Sequence, residues 1–241
     1  MNQNYVNVFA LPVIDAMLAS KLNHSESNEL AFKKVDDINE NQHKHFYQFW
    51  LLMYINQHLD IKHLENICYT DDLTQLRNKR YFDFYLKNCW EDLANEKAPL
   101  SVIFLDIDNL KVYNLMRGQE MGDKCVYEIA NAIPKCLNKH GTLVARYQDD
   151  AFAIVLPNTT ASNAVEIAEV IREEVKNLNI QHAVAQLGGL RFPIVTVSLG
   201  VATTIPNLEQ SPNVLCDAAL NALHRAKKLE GNCTCVSKTL K

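Results

Sequence analysis

No stretch of this 241-residue chain approaches the ~18 to 20 apolar residues that a membrane-spanning helix requires, so no membrane partner is expected. The N-terminus has no basic segment followed by an apolar core and a small-residue cleavage site, and Asp15 interrupts its most apolar stretch; a cytoplasmic location is the expectation. Positive charge is also short. The formal net charge is −4 and the pI about 6.1, which removes the basic field expected of a general nucleic-acid binder. The seven cysteines, Cys68, Cys89, Cys125, Cys136, Cys216, Cys233 and Cys235, are scattered, and a chain of this size does not need staples, so reduced thiols are expected. Cys233 and Cys235 lie too close together for a zinc knuckle and have no second pair; a frayed C-terminal tail is the expectation there. What remains, 48% apolar residues, suffices for the core of one large domain and a small one.

Residues 1–66 read as a small helical domain for regulation or dimerisation. Tyr5 to Leu22 carries apolar residues at helical spacing, interrupted by Pro12. Ser25 and Ser27 are candidate caps for a second helix, and the third, His45 to Leu59, is crowded with Phe46, Phe49, Trp50, Met53 and Tyr54. Five of the eight histidines fall in this region, His24, His43, His45, His58 and His63, without convincing ligand spacing; they read as solvated or packing residues.

From residue 67 the pattern changes to alternating helices and short strands. Helices are expected over Arg77–Leu93, Met121–Leu137 until Pro134 disturbs its end, Ala161–Leu178 and Val214–Leu229. Strands are expected at Leu100–Leu105, Leu143–Tyr147, Phe152–Leu156 and Ile194–Ala202. Crossing helices mixed with strands give an α/β or α+β sandwich with helices covering the sheet.

Two acidic steps end apolar runs. Asp106 and Asp108 close SVIFLDIDNLK, and Gln148, Asp149 and Asp150 sit at the hairpin of ARYQDDAFAIVLP. Two carboxylate-bearing strand ends separated by a helix-length segment suit a divalent cation clamped against nucleotide phosphates. The YQDD step also coincides with a polymerase box, but the chain is too short for fingers and thumb domains.

Five motifs occur in order: DDLTQLRNKRYF (71–82), LDIDNLKVYNLMRGQEMGD (105–123), ARYQDDAFAIVLP (145–157), VTVSLGVA (195–202) and CDAALNALHRAKKLEGN (216–232). Together they resemble the GGDEF domain, the catalytic domain of diguanylate cyclases, which condense two GTP molecules into cyclic di-GMP. The resemblance implies a palm with a central, mainly antiparallel sheet. It implies Mg²⁺, or Mn²⁺, on Asp106, the Ile107 carbonyl and Asp150, with Asp106 and Asp150 serving catalysis. It places Asn109, Leu110, Lys111 and Lys227 near phosphates and Asn114 and Asp123 on guanine, with Gly118 and Gly122 shaping the loop between them.

The signature itself departs from the family. Gln148, Asp149, Asp150 and Ala151 stand against G, G, D/E and E. The family glycines permit positive φ and close approach of the nucleotide; Gln148 and Asp149 add bulk and charge there, and the Ala151 methyl coordinates nothing. The arginine of the closing G-R-N is missing, since Asn232 follows Gly231 directly, and the R-x-x-D product-inhibition motif is replaced by Lys139 and Thr142. The expectation is a degenerate signalling domain that binds GTP or a related guanine nucleotide with weak or no cyclic di-GMP synthesis, paired as a homodimer through its N-terminal helices or with a protein partner. A working cyclase with an unusual signature and a nucleotide-independent scaffold are the alternatives.

Overall fold

The computed structural model describes residues 69–137, 141–182 and 193–237. The helical domain expected over residues 1–66, with its histidines and aromatic strip, lies outside the described residues, as does Lys139.

Helix α1, Lys79–Glu96, starts where the Asn78 side chain accepts the Tyr81 N–H at 3.1 Å and ends at Lys97 in the left-handed region. It buries Phe82, Leu86, Cys89, Trp90 and Leu93, a stripe at the helical repeat. Strand β2, Leu100–Ile107, leads into α2, Leu110–Arg117, and α3, Gln119–Ala132. Pro134 ends α3 as expected, and the chain tightens into a 3₁₀ turn over Ile133–Cys136. The hairpin strands are β3, Leu143–Arg146, and β4, Ala151–Pro157. Helix α4, Ala161–Asn177, is capped by Thr160 and buries Ala164, Ala168, Ile171 and Val175. Strand β5, Val197–Thr204, and helix α5, Asn213–Lys228, follow.

Two short strands were not expected. Arg77–Asn78 forms β1 rather than the first turn of α1. Thr234–Val236 forms β6, pairing parallel with β5 so that Cys235 faces Gly200; this corrects the frayed tail. The order across the sheet is β1-β3-β4-β2-β5-β6, with antiparallel pairing among the four inner strands and parallel pairing at both edges.

Side chains alternate across this sheet. Ile103, Leu105 and Ile107 of β2 join α3 and α4 in one core. Leu100, Val102 and Phe104 join α1 and α5 in the other. The result is the expected α+β sandwich, and it fixes which side of the sheet each strand-end carboxylate faces: Asp106 follows the parity of Phe104, toward α5.

Candidate functional site

The site grows from the C-terminal end of β2. Asp106 pairs across the ladder with Ala151 of β4 on one side and Ser198 of β5 on the other. From α5, Lys227 Nζ reaches the Asp106 carboxylate at 2.5 Å and also donates to the Ile107 carbonyl at 3.1 Å. The turn before β4 closes the third side, where the Ile107 N–H donates to the Asp150 carbonyl at 3.1 Å. Burial raises the Asp106 pKa above its ordinary value of 3.8, the Lys227 ammonium offsets part of that rise, and the charges of Asp150 and Asp108 add to it. Asp106 therefore lies within the field of Asp150.

Asp108 does not act with them. Its Oδ2 accepts from Thr196 Oγ1 at 2.7 Å and from the Asn232 N–H at 2.9 Å. Its Oδ1 accepts from Ser198 Oγ at 2.7 Å and Lys227 Nζ at 2.9 Å. The apparent Asp106–Asp108 pair is thus corrected: one carboxylate faces the site and the other is a buried cross-brace.

The hairpin turn closes tightly. The N–H groups of Tyr147 and Gln148 both donate to the Ala151 carbonyl, at 2.8 and 3.2 Å, and the Ala151 N–H returns to the Gln148 carbonyl at 3.4 Å. Neither Gln148 nor Asp149 adopts positive φ, so the glycine-free turn carries no left-handed backbone strain. Both side chains are exposed. Arg146 braces the turn: Nη2 and Nε donate to the Asp149 carbonyl at 2.8 and 3.3 Å. Its Nη1 donates to both oxygens of Asp71, at 3.0 and 3.2 Å. Asp71 in turn caps its own turn by accepting from the Thr74 N–H and hydroxyl.

These contacts set a pH order. Burial acts to raise the Asp71 pKa, but the Thr74 hydrogen bonds and the Arg146 guanidinium together hold it below 3.8. A lowered folded pKa gives stability that is present above the unfolded value and lost as pH falls through the folded one. Asp106 runs the other way: its contribution is fullest below the unfolded value and is lost as pH rises through the raised folded one. Asp106 is an expected cation ligand, and its protonation would remove the charge it offers a cation. Acidification is expected to abolish divalent-cation binding, read from Mn²⁺ paramagnetic resonance, at a higher pH than that at which the Asp71–Arg146 brace releases. The brace is read from the near-ultraviolet dichroism of Tyr147, which packs edge-on against Phe82 and Phe104. Simultaneous loss would contradict the order.

The residues expected to read a base lie on the α2–α3 hairpin, whose corner is Gly118 at φ +85°. Asn114 and Asp123 come together here. Gln119 bridges them, accepting from Asn114 Nδ2 at 3.4 Å and donating to Asp123 Oδ1 at 2.8 Å. Asn114 Oδ1 is buried and finds no donor among the described residues. It lies over Gly122, where an added Cβ would sit 1.9 Å from it. Gly122→Ala is expected to drive the flexible Asn114 side chain aside, leaving the melting temperature nearly unchanged while weakening a bound guanine nucleotide about tenfold, the worth of one hydrogen bond. Calorimetry and thermal unfolding on the same sample check both halves of this expectation.

Asn109, at φ +57°, turns the chain from β2 into α2, placing Leu110 and Lys111 in the first helical turn, whose N–H groups have no intrahelical acceptor. Leu110 is buried and Lys111 exposed. Gln119, Arg146 and Asp71 were missed as site-shaping residues. Arg146 and Asp71 stood inside quoted motifs without an assigned contact, and an exposed Gln119 carries no pattern of its own. Thr142 Oγ1 is buried without a partner among the described residues, and no carboxylate stands at that position.

The donor set suits a hard cation. Asp106, the Ile107 carbonyl and Asp150 offer oxygen atoms of the kind Mg²⁺ and Mn²⁺ take. Among the described residues no group of three or more His, Cys, Asp or Glu side chains forms a cage, so substrate oxygens and water would have to complete the shell.

Comparison with known proteins matches residues 68–233 to the family model "Diguanylate cyclase, GGDEF domain". The chain is 31% identical over 171 residues to Probable diguanylate cyclase DgcT of Escherichia coli (strain K12), covering 70% of this chain and 35% of that protein. It is 31% identical over 172 residues to Diguanylate cyclase A of Treponema denticola, covering 70% and 44%. The chain thus spans less than half the length of these curated relatives. Among solved structures, the GGDEF domain of DgcB from Caulobacter crescentus in complex with c-di-GMP aligns with a TM-score of 0.62 at 26% identity, over 71% of this chain and 94% of that one. A longer DgcB structure that includes its coiled coil aligns at 0.68 and 24% identity, over 83% and 100%; that likeness is one of fold.

Proposed function

Because the chain belongs to the diguanylate cyclase GGDEF-domain family, we propose that it is a guanine-nucleotide-binding member whose cyclic di-GMP synthesis is weak or lost. The observation that carries this reading is an asymmetry. Asn114 and Asp123 stand together on the α2–α3 hairpin and Asp106 lies in the field of Asp150, whereas the position across the ladder from Asp106 holds only the Ala151 methyl.

In this reading Asn114 and Asp123 accept from the N1–H and N2–H₂ of guanine. Lys111 and the first turn of α2 face phosphate oxygens, and Asp106, the Ile107 carbonyl and Asp150 hold Mg²⁺ or Mn²⁺. The cation, when bound, offsets negative charge at the α-phosphate that a second GTP's 3′-hydroxyl attacks in the family reaction. Ala151 supplies no carboxylate, and Gln148 and Asp149 crowd the side from which a polyphosphate approaches.

A working cyclase would need Asp149 and Asp150 to take over as the D–E pair by sliding β4 one residue. The register opposes it. Phe152, Ile154 and Leu156 fill the core under α3 and α4, and a one-residue slip turns them to the opposite face. A cytoplasmic location, where GTP is supplied, a homodimer through residues 1–66 and a protein partner read through that domain complete the proposal.

Calorimetric titration with GTP and Mg²⁺ tests the binding half. Saturable binding of GTP but not ATP, weakened tenfold or more in Asp106→Ala, is expected, since a lost charged contact is worth about 1.5–3 kcal/mol. Absence of any saturable heat would favour the nucleotide-independent scaffold.

A further inference from the structure

Lys227 is engaged in a way that a phosphate-binding lysine need not be. Its ammonium sits in a shell made wholly of oxygens: Asp106 Oδ1 at 2.5 Å, Asp108 Oδ1 at 2.9 Å, the Ile107 carbonyl at 3.1 Å and the Asp106 carbonyl at 3.3 Å. Two of these, the Asp106 carboxylate and the Ile107 carbonyl, are also the proposed metal ligands. A divalent cation and an ammonium cannot share those atoms at such distances without strong repulsion.

We infer that in the nucleotide-free protein Lys227 is a tethered cation occupying the metal's ligands, and that a triphosphate draws it away so that metal and nucleotide enter together. This rests on the proposed metal role of Asp106 and Ile107. Three features make the lysine displaceable. It lies one residue from the C-terminal end of α5, on a flexible four-carbon stem whose side chain remains 30% exposed. Asp108 keeps its contacts to Thr196, Ser198 and the Asn232 N–H when Lys227 leaves, so the cross-brace survives. Asp106 has no such reserve: Lys227 is the cation paired with it among the described residues, beside the charge of Asp150. Departure of the lysine therefore leaves a negative site that a metal must fill.

The same geometry explains why one lysine can serve phosphate and metal ligands in turn. An ammonium is a compact point charge with three rotatable donors, able to exchange carboxylate oxygens for phosphate oxygens without a new backbone position. An empty site with both carboxylates uncompensated is avoided at every stage.

The test is a Mn²⁺ titration without nucleotide, read by paramagnetic resonance, on the wild-type chain, Lys227→Met and the exposed control Lys124→Met. The expected result is that Lys227→Met binds Mn²⁺ about tenfold or more tightly than the wild type, the effect of removing a unit positive charge within ~4 Å, while the control does not change. Should Lys227→Met fold poorly without metal, its melting temperature is expected to rise with Mn²⁺ far more than that of the wild type. Equal Mn²⁺ affinity and equal thermal response in wild type and Lys227→Met would overturn the inference. It would leave the proposed function standing if the wild type still binds GTP with Mn²⁺. No Mn²⁺ binding by any of the three proteins, with no GTP binding, would overturn both.

Discussion

Replacing Gln148 and Asp149 by glycine and Ala151 by glutamate, all in one chain, is expected to raise cyclic di-GMP formation by about 10²- to 10³-fold, the range for restoring a preorganised electrostatic contact. Each change has a place to act. Ala151 is the first residue of β4 and stands opposite Asp106, so a longer side chain there leaves the strand at the mouth of the site. The turn before it closes on the Ala151 carbonyl and N–H, and the Arg146 brace grips the Asp149 carbonyl. Both are main-chain contacts that glycines preserve. The replacements therefore clear room and add a carboxylate without dismantling the hairpin. A third carboxylate beside Asp106 and Asp150 also sharpens the dependence on divalent cation. Product separated by chromatography gives the rate, and GTP affinity measured in parallel shows that the pocket is intact. A rate unchanged from wild type, with binding retained, would place the defect elsewhere than the signature.

Asp108→Ala is expected to cost about 3–5 kcal/mol of stability, as breaking one side of a buried charged network does. Asp108 is 6% exposed and joins three segments far apart in the chain: the end of β2, the start of β5 through Thr196 just before it and Ser198 within it, and the loop after α5 through Asn232. Gly231 lies against it, with an added Cβ 2.9 Å from Asp108 Cγ. Removing the carboxylate leaves two hydroxyls, an amide N–H and one arm of Lys227 without their acceptor. Asp108→Asn keeps the shape but offers one oxygen where two were used, and is expected to cost about 1–3 kcal/mol. Urea unfolding with an unchanged m-value separates these losses from a change in the unfolded chain. A loss below 1 kcal/mol in Asp108→Ala would show that the cross-brace is dispensable.

Asp108 also marks where the sequence stopped being readable. Asp106 and Asp108 are two apart on one extended segment, so alternation sends both to the same side of the sheet. Nothing local tells which is covered. The answer lies with Thr196, Ser198 and Asn232, which reach Asp108 only through the folded topology. The same limit hid β1 and β6. Arg77–Asn78 and Thr234–Val236 are strands because β3 and β5 offer edges to pair with, and segments this short carry no period of their own. Helices α1, α4 and α5 were legible because their buried residues recur at the helical repeat over sixteen or more positions. Their ends differ from the expected ones by at most three residues.

The candidate site was legible in its residue types and partly in its arrangement. Asn114 and Asp123 do come together, but through Gln119 and over Gly122, contacts that only the α2–α3 hairpin creates. The family glycines permit positive φ, and here the turn closes without it, held by Arg146 and by the Ala151 amide and carbonyl. Lys227, matched to a phosphate-binding position, touches the carboxylates of Asp106 and Asp108 and the Ile107 carbonyl, contacts that only the packing of α5 beside the end of β2 creates.

The central claim, binding without efficient cyclisation, is tested most directly by one measurement. Cyclic di-GMP released per protomer is followed with Mn²⁺ at a GTP concentration that calorimetry shows to saturate the site. The expected result is a saturated protein turning over at about 1% or less of the rate of the Gln148→Gly, Asp149→Gly, Ala151→Glu chain, as the 10²-fold lower bound requires. A saturated wild-type protein forming cyclic di-GMP as fast as that variant would contradict it.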